Sequence, residues 1–210
     1  VDGGNPAAGY GMIDGSSATA LQMATVSGNI QINEAQTSGG TFGSRGSVLN
    51  LTGPITSTVQ INSRNGNVMF SNAGSSYPSL VVGEGNLLLG VDNAIPTTLN
   101  PTVGGSAAAS LNLAGRNQTL AGITKGGSAG TVTNTAVVTP TTGTLPVGML
   151  TLNIGADKTW AGVPAGALSV NKNGEGNWTL TGTTINNGVL SLHNGSVSFG
   201  PGGALAAGGN

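Results

Sequence analysis

Three carboxylates are the residues of this chain whose positions could support catalysis. Glu84 and Glu175 lie in Gly-rich stretches where turns are expected, and Asp92 lies shortly before the turn expected at Pro96. Carboxylates gathered from neighbouring coils in one groove can cleave a glycosidic bond by acid and base catalysis. Solvation at the corners of a fold explains these three acids more simply. The sequence therefore leaves a polysaccharide-active enzyme open but does not favour it.

Other kinds of catalytic or metal site find little support. His193 is the single histidine and lies in a His-Asn-Gly turn without an acidic neighbour, whereas an activated nucleophile needs a base that a third group orients. Transition-metal sites need converging His, Cys or carboxylate side chains, and this chain has no Cys. Trp160 and Trp178 could stack on sugars, but such side chains more often fill a core. We therefore expect no catalytic, cofactor-binding or metal-binding residues and no enzyme activity.

Composition limits the classes of partner. The chain has 210 residues, only 6% of them charged, with six Lys and Arg and a formal net charge of −1. No basic face for nucleic acid can be built from so few cations. No apolar run approaches the roughly 18 residues that a membrane-spanning helix needs. The absence of Cys excludes disulfides. The first residues lack the pattern of a secretory signal, which predicts a processed mature product or a segment of a longer protein.

The elements that carry these residues are predicted to be short strands. The stretch 167–192 contains three alternations of apolar and polar residues, separated by Gly/Asn turns. Their apolar members are Leu168 and Val170, Trp178 and Leu180, and Leu190 and Leu192. Strands of four to six residues recur about every ten residues, which is typical of an all-β sandwich, barrel or solenoid. Approximate self-similarity between 49–90 and 150–195 favours the solenoid.

The chain divides into segments of different pattern. Residues 1–17 are Gly-rich and predicted to be an irregular lead-in, and residues 201–210 form a Gly/Ala-rich tail. Residues 18–200 are predicted to form the solenoid. Within it, we expect a Gly-rich loop at 38–46 and an inserted Thr/Pro-rich loop at about 135–147.

The sequence NKNGEGNWTLTGTTINNGVLSL at 171–192 resembles the autotransporter-associated β-strand repeat of bacterial autotransporter passengers and related large surface proteins. The matching positions are Lys172, Gly174, Gly176, Trp178, Leu180, Gly182, Thr184, Ile185, Asn186, Gly188, Leu190 and Leu192. Segments 87–96, 110–123 and 130–134 resemble those that follow the repeat, so the likeness covers about 49–192. One departure is the absence of the usual Asn-Thr-Tyr-x-Gly loop between Gly182 and Thr183. The resemblance implies a right-handed parallel β-helix.

The resemblance also implies a function and a location. We expect a non-catalytic structural protein, either a surface rod or a subunit of a self-assembling fibre, on the outside of a bacterial cell. Its expected partner is a second copy, joined end to end or laterally. Two alternatives remain open: an adhesin that binds host or matrix glycans, which a glycan array would identify, and a polysaccharide-active β-helix enzyme. For the enzyme, the test is whether the double substitution Glu84→Ala/Asp92→Ala leaves a measured cleavage of polysaccharide unchanged.

Overall fold

The protein is built almost entirely from short strands. A computed structural model describes residues 12–16, 23–32, 40–45, 48–127, 129–134, 147–182, 184–185 and 188–205. These residues form 24 strands and no helix. In chain order the strands are β1 (Met12–Ser16), β2 (Met23–Val26), β3 (Ile30–Ile32), β4 (Gly40–Arg45), β5 (Val48–Leu51), β6 (Ile55–Ser57), β7 (Ile61–Ser63), β8 (Asn67–Phe70), β9 (Leu80–Val82), β10 (Gly85–Leu89), β11 (Thr102–Val103), β12 (Ala109–Asn112), β13 (Asn117–Leu120), β14 (Thr124–Lys125), β15 (Gly130–Asn134), β16 (Gly148–Asn153), β17 (Lys158–Trp160), β18 (Val163–Gly166), β19 (Leu168–Asn173), β20 (Asn177–Leu180), β21 (Thr184–Ile185), β22 (Leu190–Leu192), β23 (Ser196–Phe199) and β24 (Ala204–Leu205).

The described strands pair in parallel with strands of the next coil. Leu49 pairs with Val68, and Val68 pairs with Leu87, so one coil here takes 19 residues. Parallel neighbours need a connection that returns the chain to its starting edge, and here the rest of each coil supplies it. The result is a β-solenoid, which confirms the parallel β-solenoid predicted from the sequence.

The coils have three faces. The first face contains the sheet β1-β4-β7-β9-β11-β14 and is continued by β17-β20-β23, because β14 contacts β17. The second contains β18-β15-β12-β10-β8-β5-β2 and is continued by β21-β24, because β18 contacts β21. The third contains β3-β6 at one end and β13-β16-β19-β22 at the other. Corners between these faces therefore stack on one another along the rod.

The core consists of side chains that point into the coil and stack in register. On the second face one such ladder contains Leu49, Val68, Leu87, Leu111 and Val132. All five are buried. Each coil therefore buries its apolar residues against the coils on either side, and full burial of such a side chain contributes roughly 1.5–3 kcal/mol.

Two aromatic pairs fill wide parts of the core. Phe42 and Phe70 meet edge to face, with ring centroids 6.2 Å apart. Trp160 and Trp178 stack with centroids 6.0 Å apart and an interplanar angle of 11°. Such pairs add about 0.5–1.5 kcal/mol beyond the area that they bury.

The structure differs from the sequence prediction in the loop expected at 38–46. Gly40–Arg45 forms a strand, and Phe42 points into the core. Glycine is uncommon in strands, but here it has a steric reason. A Cβ built on Gly43 would lie 2.6 Å from the carbonyl oxygen of Arg64, so the two coils approach too closely for a larger residue.

Both predicted terminal segments contain a strand. β1 lies inside the predicted lead-in 1–17, and β24 lies inside the tail 201–210. The inserted loop predicted at about 135–147 falls outside the described residues except for Val147, which is exposed.

Candidate functional site

The three candidate carboxylates lie at three different corners. Glu84 connects β9 to β10, between the first and second faces. Asp92 follows β10 as the chain leaves the second face, and Glu175 connects β19 to β20, between the third and first faces. Glycosidase chemistry requires two carboxyl groups flanking one bond, about 5–9.5 Å apart. The fold does not bring these three together in one groove.

Two of these carboxylates instead bind the neighbouring coil. Glu84 accepts a hydrogen bond from the Ser106 hydroxyl. Oδ1 of Asp92 accepts one from the backbone N–H of Asn117 at 2.9 Å. Both contacts join residues more than 20 positions apart, so these side chains hold stacked corners in register.

The remaining sequence candidates also lack a shared site. His193 is exposed at the corner after β22. Within the described ranges, no three His, Asp or Glu side chains are grouped so that they could hold a metal ion. The same part of the chain contains no helix with the length and hydropathy needed to cross a bilayer.

The tryptophans belong to the core. Trp160 and Trp178 are buried, at 1% and 0% exposed. Neither indole Nε1–H has a hydrogen-bond partner among the described residues. Because both rings are enclosed by the coils, neither one can serve as a sugar-stacking platform.

The exposed apolar surface of the molecule is concentrated in its last coil, formed by β22, β23 and β24. Leu192 continues an inward ladder from Leu152 and Lys172. Phe199 similarly continues the ladder of Trp160 and Leu180. In the preceding coils these positions are at most 1% exposed, whereas Leu192 is 51% and Phe199 is 44% exposed. Among the residues that the structure describes, no further coil covers these core side chains.

The backbone of this coil is also open. Within the described part of the chain, β22, β23 and β24 each pair on one side only, with β19, β20 and β21 respectively. An unpaired strand edge is a template for pairing with another strand unless charge, proline or a bulge blocks it. Residues 188–205 contain no Asp, Glu, Lys or Arg, and His193 is their only titratable side chain. We call the outer edge and the exposed apolar side chains of β22–β24 the C-terminal edge.

At the opposite end of the solenoid there is a second open edge, whose strands run in the same direction. Among the described strands, β1, β2 and β3 each pair only with the next coil, through β4, β5 and β6. In β2, Met23 is 46% exposed. All of these pairings are parallel, so the two ends of the molecule can meet by translation along the rod. We call the outer edge of β1–β3 the N-terminal edge.

One buried cation lies directly beneath the C-terminal edge. Lys172 is 0% exposed and occupies an inward position between Leu152 and Leu192. Its Nζ donates to three backbone carbonyl oxygens: Asn173 at 3.0 Å, Gly174 at 2.6 Å and Asn194 at 3.1 Å. Burial lowers the pKa of Lys172 from its ordinary value.

The corner around Lys172 is closely packed. Gly174 has φ = 79°, and a Cβ there would lie 2.5 Å from the carbonyl oxygen of Ile154. Gly195 stacks above it, and its Cβ would lie 2.6 Å from the carbonyl oxygen of Gly174. Successive coils therefore leave no room at this corner for a residue larger than glycine. This explains Gly174 and Gly195, which the sequence alone assigned to turns.

Arg64 and Lys172 correspond to each other in the self-similarity between 49–90 and 150–195, but they lie at different places in the fold. Arg64 follows β7, between the first and second faces, whereas Lys172 lies at the end of β19, between the third and first faces. Arg64 is half-buried, and its Nε has no partner among the described residues. Only the Lys172 corner has a fully enclosed cation.

No family model matches the chain, and neither the curated proteins nor the solved structures give a match. The likeness to the autotransporter-associated repeat rests on the sequence motif.

Proposed function

We propose that this chain is a non-catalytic structural protein whose rod-like fold extends into a fibre by adding a second copy at the C-terminal edge. The observation that carries the proposal is the exposure of Leu192 and Phe199 in ladders that are otherwise buried. A core side chain left half in water gains free energy when a further coil covers it.

The second copy is the occupant that best fits this edge. The edge requires a parallel β-coil with apolar side chains facing inward, and the N-terminal edge of another molecule has the required strand direction. No charged side chain in 188–205 opposes the approach. The same two edges can meet at every junction, and such head-to-tail contacts produce open filaments.

The proposed function depends on the stiffness of the rod. Backbone hydrogen bonds run from coil to coil, so bending the rod strains several parallel sheets at once. Polar ladders support the outer surface, as in the hydrogen bonds from Asn86 to Asn67 at 2.9 Å and from Asn173 to Asn153 at 3.2 Å. These side chains are solvated without carrying charge, which suits a surface that must remain soluble.

The expected location is the outside of a bacterial cell. Support comes from the likeness of 171–192 to passenger repeats. The absence of Cys throughout the chain is compatible with any redox compartment. The proposed unit is thus a length of surface rod or fibre of passenger type.

Negative-stain electron microscopy of the purified chain tests the proposal. We expect fibres whose number grows with protein concentration. Short, monodisperse particles at high concentration would contradict self-assembly.

A further inference from the structure

Lys172 joins two coils at the end of the rod. Two of its carbonyl partners, Asn173 and Gly174, belong to its own coil, and the third, Asn194, belongs to the last coil. The same inward ladder has leucine at the neighbouring positions Leu152 and Leu192. A cation at a core position must have its donors satisfied to offset the loss of hydration, and here all three N–H groups have acceptors.

Backbone ladders join the last coil to the coil below through β22, β23 and β24, but few side chains add polar anchors to them. Ser196 and Ser198 donate to the exposed side-chain oxygen of Asn177, each at 2.9 Å, and water can replace those bonds. The apolar contacts are partial, because Leu192 and Phe199 are about half exposed. The charge-assisted bond from Lys172 to Asn194 is therefore the side-chain anchor of this coil whose donor is enclosed by the core.

We propose that Lys172 is the positioning residue that fixes the last coil, residues 188–205, on the rod and so keeps the C-terminal edge assembled. The inference deepens the proposed function and rests on it only for the role of that edge in assembly. Opening of the last coil is a local event in which the coils below stay folded.

The surroundings of the ammonium group contain no carboxylate partner. The corner stack around Lys172 carries Asp157, Glu175 and His193, all exposed, and Lys158. Asp157 instead accepts from the backbone N–H of Asn177 at 2.8 Å. The hydrogen-bond partners of the Lys172 amine are thus the three carbonyl oxygens alone, one of them supplied by the last coil.

Amine labelling of the wild-type protein gives the first test. The amine of Lys172 should react with an acylating reagent much more slowly than the amine of Lys158, which makes no hydrogen bond or ion pair with described residues. The factor by which Lys172 is protected from the reagent should equal the hydrogen-exchange protection factor of amides in β22 and β23, because the same local opening exposes both. The proposal is overturned if Lys172 reacts as fast as Lys158, or if it reacts only at the slower rate at which β5 and β8 open.

The variant Lys172→Met gives the second test, with Lys158→Met as the control for the same change of charge and shape. We expect amides of β22 and β23 to exchange about tenfold faster or more in Lys172→Met, because a charge-assisted hydrogen bond is lost. Exchange in β5 and β8 should be unchanged, and Lys158→Met should match the wild type at the last coil. Equal or slower exchange in Lys172→Met would contradict the proposal, since it would mean that apolar packing holds the coil equally well.

These experiments separate the two proposals. Exchange and labelling are measured at concentrations where the chain is monomeric, so they report on the last coil whether or not fibres form. If wild-type protein forms no fibres but Lys172→Met loosens the coil, the fibre proposal fails and the role of Lys172 stands. If fibres form and Lys172→Met leaves the coil unchanged, the role of Lys172 fails alone. Should Lys172→Met not fold, the wild-type labelling still decides.

Discussion

The double substitution Leu192→Lys/Phe199→Lys should block growth at the C-terminal edge. Full burial of Leu or Phe is worth roughly 1.5–3 kcal/mol, and the exposed halves of these side chains therefore offer about 1 kcal/mol each to an incoming coil. The loss of about 2 kcal/mol corresponds to about a thirtyfold weaker association, at a factor of ten for each 1.4 kcal/mol. Two lysines on an open edge weaken it further, because their charges must be desolvated on docking.

The assay is the critical concentration for fibre growth, measured by light scattering and pelleting. The control is Ser191→Lys/Ser198→Lys, which adds the same charge to the same strands on the outward face. We expect the inward pair to raise the critical concentration at least about thirtyfold by the arithmetic above and the outward pair to raise it much less. Lysines at the half-exposed inward positions can reach water with their head groups, so the rest of the rod should stay folded, as circular dichroism would show. Equal critical concentrations for the inward pair and the wild type would refute the docking argument.

Four further predictions concern stability. Tyr77→Phe should leave the free energy of unfolding unchanged or raise it by about 1 kcal/mol, because the buried Tyr77 hydroxyl has no partner among the described residues; a clear loss in urea denaturation would reveal a missed partner. Burial raises the pKa of Tyr77 well above its ordinary value of 10.0, so the unfolded chain ionises first and wild-type stability should fall above about pH 10, with Tyr77→Phe lacking this fall. Burial lowers the pKa of Lys172, so as the pH rises the Lys172 amine loses its proton in the folded chain before it does in the unfolded chain. The free energy of unfolding should therefore rise with pH from the folded pKa up to about 10.4. Urea denaturation of the wild type and of Lys172→Met across that range would give the same dependence on pH if this reasoning is wrong. Gly174→Ala should cost about 1–3 kcal/mol, because φ is positive and the new Cβ meets Ile154, whereas Gly155→Ala, with open space around its Cβ, should cost little; equal thermal shifts would contradict this.

Much of the fold could be predicted from the sequence because inward residues follow a period of two. The pairs Leu49/Leu51 and Trp178/Leu180 alternate with polar residues, and all four side chains are buried. Lys172 has the same parity as Leu168 and Val170, so its inward position was available from the pattern. The inward position was nevertheless not predicted, because lysine carries a charge and is rarely found in a core.

Other features depend on contacts that a single sequence does not contain. β4 was predicted to be a loop because glycine disfavours strands locally, yet the close approach to the coil of Arg64 requires Gly43. The separation of Glu84, Asp92 and Glu175 onto three corners depends on how many residues each coil uses. That number varies from 19 between β8 and β10 to 32 between β15 and β18, and changes of this kind move a residue from one corner to another.

The subunit spacing in fibres of the wild-type protein tests the central claim most directly. The first two faces each stack nine of the described strands. With strands about 4.8 Å apart, a head-to-tail rod should give an axial repeat of roughly 43 Å and an unbroken layer line at about 4.8 Å in cryo-electron microscopy. Fibres in which rods associate side by side with their C-terminal edges free, or a solution of separate short rods, would contradict the account.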